Sequence, residues 1–176
     1  PLTVEGNFTA DGGTIKLDGN YPVGTHNVAL GDAAGSSLTT GIRNTLVGSL
    51  AGDSFTDADF NVAVGYGALN ADTLGSGSVA VGDFTLVNQN NTSATTTYNT
   101  AVGYASGSSV TTGVNNTLIG GLAGDAITTG GSNVALGASA LTSNTTASNN
   151  TAVGYQAAYS NTTGIANVGL GAYALQ

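Results

Sequence analysis

The sequence has no cysteine, methionine or tryptophan, and few of its side chains carry a charge. The lack of cysteine excludes disulfides, thiolate nucleophiles and cysteine-ligated metals. Lys16 and Arg43 are the only cations against ten carboxylates, and the net charge of −8 opposes binding to nucleic acid and to anionic lipid surfaces. No apolar run reaches the roughly 18 residues of a membrane span, so we expect no membrane insertion.

The main feature of the sequence is a repeated five-residue signature. It consists of Asn, a small or β-branched residue, a small or apolar residue, a branched apolar residue and Gly, and it occurs nine times. The copies begin at residues 27, 44, 61, 78, 99, 116, 133, 150 and 167. The spacing is 17 residues except for one interval of 21, which carries a four-residue insertion between Val87 and Thr97. Such a fixed period is typical of stacked repeat architectures.

The positions within a unit, counted from the Asn as position one, have different compositions. Position five is Gly in all nine units, which predicts a corner that ends a strand. Position four is always Val, Leu or Ile, which we interpret as a row of core residues. Position eight is Ala in seven of nine units, which indicates an inward site with room for one methyl group. Thr at position thirteen followed by Gly or Ala at position fifteen predicts the second corner.

These features predict an all-β fold, a parallel β-solenoid or β-roll of nine turns with a 17-residue repeat. The density of Gly, Thr and Asn and the absence of a 3.6-residue apolar pattern exclude helix. Like residues would stack about 4.8 Å apart, and position one would form an Asn ladder interrupted only by Ser78. We expect two regions, an N-terminal cap or connector with short strands over 1–26 and the solenoid over 27–176. The chain has no initiator Met and ends ten residues into its ninth unit, so we expect a piece of a longer protein.

Both faces of the main strand have an apolar composition. Positions two and four lie on one face of a strand and position three on the other, yet all three are apolar or small in units such as Val28 to Leu30 and Thr117 to Ile119. A single coil has only one interior, so the second face needs a partner. We therefore expect a symmetric oligomer, preferably a homotrimer around a fibre axis.

The units NTAVGYQA and NVALGDAA resemble the head repeats of trimeric autotransporter adhesins, which form a left-handed trimeric β-roll. The leader LTVEGNFTADGGTIKLDGNYPVG followed by NVALG and NTAVGYQA units is similar to tail-fibre and virion structural proteins of marine cyanobacterial phages. This resemblance covers nearly the whole chain. It implies a homotrimeric structural module of an extracellular fibre, located on a virion as a tail fibre or appendage, that provides rigid length and host-surface attachment.

Two other functions are compatible with the repeat. One is the head domain of a bacterial trimeric adhesin on a cell surface. The other is an ice-binding β-solenoid, because Thr recurs at positions thirteen and fourteen, although no Thr-x-Thr ladder is present.

Two groups of residues are candidates for contact with a glycan or protein receptor. Tyrosines at position six can stack on sugars, and the inserted loop departs from the regular coil, as binding loops on rigid scaffolds often do. The candidates are Tyr66, Tyr104, Tyr155, Asn88, Gln89, Asn90 and Asn91.

We expect no enzyme, no catalytic residue, no cofactor and no metal site. His26 is the single histidine and lies at the junction with the first turn, where a surface or cap role is favoured. Asp53, Asp57 and Asp59 offer oxygens to Ca²⁺, but their spacing matches no calcium loop, so solvated corner residues are favoured.

Overall fold

A computed structural model describes residues 24–176 of the chain, and within this range it contains no helix and eleven short strands. Of the predicted N-terminal segment 1–26, residues 1–23 therefore lie outside the described residues. The strands are β1 Val28–Leu30, β2 Thr45–Val47, β3 Val62–Val64, β4 Gly75–Ser76, β5 Val79–Val81, β6 Thr95–Thr96, β7 Thr100–Val102, β8 Thr117–Ile119, β9 Val134–Leu136, β10 Thr151–Val153 and β11 Val168–Leu170.

Nine of these strands, all of three residues, form one parallel sheet in the order β1-β2-β3-β5-β7-β8-β9-β10-β11. Each residue pairs with its equivalent in the next turn, so that Val28 lies beside Thr45 and, across the insertion, Val79 lies beside Thr100. The remaining two strands, β4 and β6, pair only where the insertion lengthens a turn. The predicted parallel β-solenoid with a 17-residue repeat is confirmed.

The glycine at position five is required by the stacking of the turns. Gly65 has φ of 132°, and a Cβ placed on it would lie 2.5 Å from the carbonyl group of Gly82 in the next turn. Any larger residue would therefore push two turns apart as well as strain its own backbone. This double constraint explains why the nine glycines form a continuous row.

The predicted core row is wrong, because position three and not position four faces the interior. Leu46 and Ala63 at position three are fully buried, whereas Leu30 and Leu136 at position four are 44% and 43% exposed. A three-residue strand turns its middle side chain to one face and its outer two to the other, and the coil closes on the side of the middle residue. The narrow interior accommodates an Ala in most turns, and a continuous row of branched side chains fits only outside.

The interior of each turn is filled by three coupled positions, three, nine and twelve. In the second turn Leu46 and Phe55 enclose Gly52, and a Cβ on Gly52 would lie 2.9 Å from both side chains. In the third turn position three is Ala63, and Leu69 at position nine is buried in compensation. In these two turns a large side chain at one position is balanced by a small one at another, and in the fifth turn Leu side chains of the adjacent turns fill the space at Gly107, as dense packing requires. The predicted inward site at position eight is confirmed by Ala34, Ala51, Ala68, Ala123, Ala140 and Ala157, all buried.

Left-handed backbone recurs at positions seven, nine and seventeen, mostly in residues other than Gly. Among residues 24–176, 21 non-glycine residues have positive φ, and none of them is Val, Ile or Thr. β-Branched side chains are the most strongly disfavoured in this conformation. In a chain so rich in Val and Thr, their absence from these positions shows that the corners restrict the sequence as strongly as the core does.

Candidate functional site

The outer strip, defined as the first and third residues of the nine long strands, is a regular surface that runs along the described rod. It presents Val, Leu, Ile and Thr side chains, and no charged residue lies in any of these strands. Most members are partly exposed, as Leu30 is to 44% and Leu136 to 43%. Parallel strands buried on both faces have this continuously apolar composition, so the strip is suited to a partner surface.

The tyrosines predicted for receptor contact are exposed beside this sheet. Tyr66, Tyr104 and Tyr155 are 45%, 61% and 49% exposed. Phe84 links the first two into an aromatic row, with edge-on ring contacts at 5.2 Å to Tyr66 and 6.3 Å to Tyr104. Tyr155 makes a similar contact with Tyr173 at 5.4 Å. These rings are accessible in the single chain, and their role in receptor contact stays a prediction.

The inserted loop divides into an exposed part and a buried part. Asn88 and Asn90 are exposed, whereas Gln89 is fully buried and Asn91 is 4% exposed. The side chain of Gln89 donates a hydrogen bond to Asp72 Oδ2 at 2.6 Å, and its carbonyl accepts one from Asn99 at 2.8 Å. Gln89 and Asn91 face the interior, so we remove them from the surface available to a receptor.

This buried network also accounts for Ser78, the one break in the row of asparagines. Elsewhere the side-chain oxygen at position one accepts the backbone N–H of position one in the next turn, as Asn44 does from Asn61 at 2.9 Å. The amide nitrogen then donates across the coil to the carbonyl of position fifteen, as Asn61 does to Gly75 at 2.9 Å. At Ser78 the side-chain amide of Gln89 occupies the interior and donates to the serine hydroxyl. The predicted ladder therefore exists, but most of its hydrogen bonds join side chains to backbone.

The three aspartates considered for Ca²⁺ do not converge on one point. Asp53 accepts from the hydroxyl of Ser36, Asp57 from the hydroxyl of Thr40 at 2.5 Å, and Asp59 from the backbone N–H of Ile42 at 2.8 Å. One oxygen of each carboxylate therefore accepts a hydrogen bond from the turn before it. No group of three or more His, Cys, Asp or Glu residues within 24–176 is arranged to hold a metal ion.

Asp125 is a partly buried carboxyl on the fifth position after the corner Gly120. Burial raises the pKa of Asp125, and hydrogen bonds with the Thr142 side chain and with the backbone of residues 125 and 126 oppose that rise. Its Oδ1 atom is buried with no hydrogen-bond partner. A buried carboxylate oxygen without a hydrogen bond is expected to lower stability. His26, for its part, is exposed at the start of the first turn, as predicted.

The threonines at position thirteen do not present free hydroxyl rows. The hydroxyl of Thr39 donates to the carbonyl of Thr56 at 3.0 Å, and that of Thr111 donates to the carbonyl of Thr128 at 3.2 Å. These bonds tie successive turns together along the axis. They use the hydroxyls that an ice-binding surface would have to offer to water.

Sequence reasoning missed a surface hollow of about 420 Å³ next to the insertion. Its lining consists of Asp59, Phe60, Ser76, Gly77, Thr96 and Tyr98. The signal was present at position seventeen, where Gly77 separates two aromatic residues in the neighbouring turns. We call this feature the position-17 hollow.

Comparison with known proteins identified no relative of this chain. No protein-family model, curated protein or solved structure matches the chain. Within the described residues there is also no helix with the length and apolar character needed to cross a membrane. The surfaces of the rod are therefore the basis for the proposed function.

Proposed function

We propose that the chain is a rigid module of an extracellular fibre, such as a phage tail fibre or virion appendage, that associates with two further copies of itself. The observation that carries this proposal is the outer strip. It consists of Val, Leu, Ile and Thr and carries no charge over nine turns. An exposed apolar surface of this regularity is typical of an interaction face.

The hydrogen bonding supports the mechanical part of the proposal. Backbone N–H groups at position five donate to the turn before, from Gly65 to Val47 at 2.8 Å and from Gly82 to Val64 at 2.7 Å. The same pattern repeats along the described coil, so bending the rod requires stretching several parallel rows of bonds at once. At about 4.8 Å per turn, nine turns give a rod on the order of 40 Å long.

The repeat also favours another copy of this chain as the occupant of the strip. A second rod with the same spacing can match the first over every turn, because each step along the sheet repeats the same row of side chains. A partner with another spacing would fall out of register after a few turns. Three rods around one axis can bring all three strips together, and the resemblance to trimeric fibres favours that number.

Sedimentation equilibrium or light scattering tests the proposal. We expect a mass of three times the 17.0 kDa of one chain at micromolar concentration. Val102→Asp places a charge at the centre of the strip and should lower the mass to that of one chain. Tyr155→Ala, which changes a neighbouring surface to the residue found at position six in Ala138, should leave the mass unchanged. A single-chain mass for the unmodified protein would refute self-association.

A further inference from the structure

The position-17 hollow is the only place in the described chain where several departures from the repeat coincide. The four-residue insertion, the additional strand pair β4 and β6, and a glycine at position seventeen all lie beside it. Its volume of about 420 Å³ is within the range of roughly 300–1,000 Å³ found for small-molecule sites. A simple bulge in the coil would not require a glycine at that position.

The conformation of Gly77 does not explain why glycine is there. Its φ is 79°, but Phe60, Tyr98 and Asn115 occupy the same position in neighbouring turns with φ of 59°, 48° and 60°. Position seventeen therefore accepts larger side chains in the left-handed conformation. The effect of glycine is to leave space, because a Cβ on Gly77 would lie 3.4 Å from the ring of Tyr98.

Two aromatic rings bound the resulting space. Phe60 is 50% exposed and Tyr98 is 65% exposed. The guanidinium of Arg43 lies 5.4 Å from the centre of the Phe60 ring, packed against it from the preceding turn. The hollow adjoins Phe60 from the following turn, so this ring and Tyr98 are left available on either side of Gly77.

The remaining lining consists of hydrogen-bonding groups without positive charge. Asp59 uses Oδ1 to accept the N–H of Ile42, and Oδ2 has no partner among the described residues. Ser76 Oγ accepts the backbone N–H of Asp59 at 3.0 Å, which leaves its hydroxyl proton able to donate. The Thr96 hydroxyl has no hydrogen bond within the described part of the chain, and the residue is exposed.

We propose that this hollow binds one pyranose unit of a neutral sugar. Aromatic rings provide faces for the C–H side of a sugar ring, and a carboxylate with two hydroxyls provides acceptors and donors for its hydroxyl groups. The lining holds Asp59 and no cation, and the net charge is −8, which disfavours sulfated, phosphorylated and sialylated sugars. The proposal does not depend on how many chains form the fibre.

The sugar can come from a free oligosaccharide or from the end of a glycan on a surface, and the test separates these sources. The intact protein is titrated with glucose, galactose, mannose and N-acetylglucosamine and with their short oligomers, and backbone amide NMR signals of residues 76, 77, 96 and 98 are followed. An array of immobilised glycans with the same terminal sugars forms the second arm. We expect at least one neutral sugar to shift these four signals selectively in the first arm and to capture the protein in the second.

Substitutions that introduce a residue found at the same position in another turn should keep the coil intact. Gly77→Asn fills the hollow with the residue found at position seventeen in Asn115 and Asn149, and Tyr98→Ala removes one ring as in Ala166. Each should weaken binding about tenfold or more, because an aromatic contact with its buried area contributes on that scale. Tyr173→Ala, which removes an exposed ring far from the hollow and introduces the residue found at the same position in Ala33 and Ala105, is the matched control and should leave affinity unchanged.

Three outcomes would overturn the assignment. One is the absence of a selective shift with every neutral sugar. Another is binding that Gly77→Asn and Tyr98→Ala leave intact, which would locate the sugar elsewhere. The third is tighter binding of a sialylated or sulfated sugar than of every neutral sugar, which would contradict the assignment to neutral sugars.

Discussion

Replacing two adjacent residues of one strand by aspartate should have opposite consequences. Ala101 is fully buried at the centre of β7, and Val102 is partly exposed on the outer strip. Ala101→Asp places an unpaired carboxylate in an interior that has room for one methyl group. Overpacking costs about 1–3 kcal/mol, and burial of an unpaired polar or charged group adds several more. We therefore expect the free energy of unfolding to fall by at least about 4 kcal/mol, a large part of the roughly 5–15 kcal/mol typical of a folded domain.

Val102→Asp loses part of the burial of one valine and some strand preference, which together amount to about 1–2 kcal/mol within a single chain. Urea unfolding followed by circular dichroism, with the mass measured in parallel, distinguishes the two variants. Ala101→Asp should lose its β-sheet signal, and Val102→Asp should keep the signal while its mass falls.

A second, milder pair of substitutions distinguishes the two strand faces even if the chain folds only as an oligomer. Ala101→Ser and Val102→Thr each introduce a single hydroxyl, which should cost about 1–3 kcal/mol inside and under about 0.5 kcal/mol outside. If the outer substitutions destabilise the protein as much as the inner ones in both pairs, the assignment of the two strand faces is wrong.

Three further predictions concern single positions. Leu122→Val should destabilise the protein by about 1–2 kcal/mol in urea unfolding although residue 122 is 40% exposed, because it has φ of 59°, and Leu122→Ala should be much milder. Gln89→Ala should lower the free energy of unfolding, measured in thermal or urea unfolding, by about 2–4 kcal/mol, because it leaves buried polar groups unpaired. Asn90→Ala, at the exposed neighbouring position, should change the same quantity by under about 0.5 kcal/mol. Since the folded-state pKa of Asp125 is raised, its ionisation opposes folding, and stability should rise as the pH falls through that raised pKa toward the ordinary aspartate value. Asp125→Asn should therefore melt higher than the unmodified protein at pH 7 and lose this advantage once the pH falls below the ordinary aspartate pKa of 3.8.

The period and the corner glycines could be predicted because one local requirement repeats in every turn. Gly65 lies too close to Gly82 for a side chain, and this constraint is visible in the sequence as an invariant residue. The choice of inner face could not be predicted in the same way. Hydrophobicity favoured Val and Leu at position four, but the narrow coil selects for size, so Ala63 is inside and Val64 is outside.

The coupling between interior positions was also hidden in the sequence. Leu46 and Gly52 compensate each other's volume only after the coil has closed, and neither residue identifies the other along the chain. The position-17 hollow was missed for a related reason. Gly77 is one of 28 glycines, and its meaning appears only when Phe60 and Tyr98 are stacked on either side of it.

Because every turn pairs with the next through the same register and the same glycine corner, a turn can be added or removed without changing the type of contact between the turns that remain. Genetic gain or loss of 17 codons would then change the reach of the molecule in increments of roughly 5 Å without disturbing what remains. The similarity between residues 27–39 and 99–111, four turns apart, is the expected trace of such an event. The length of the rod can in this way evolve through the number of turns, and its surface chemistry can evolve independently through single substitutions at the corners.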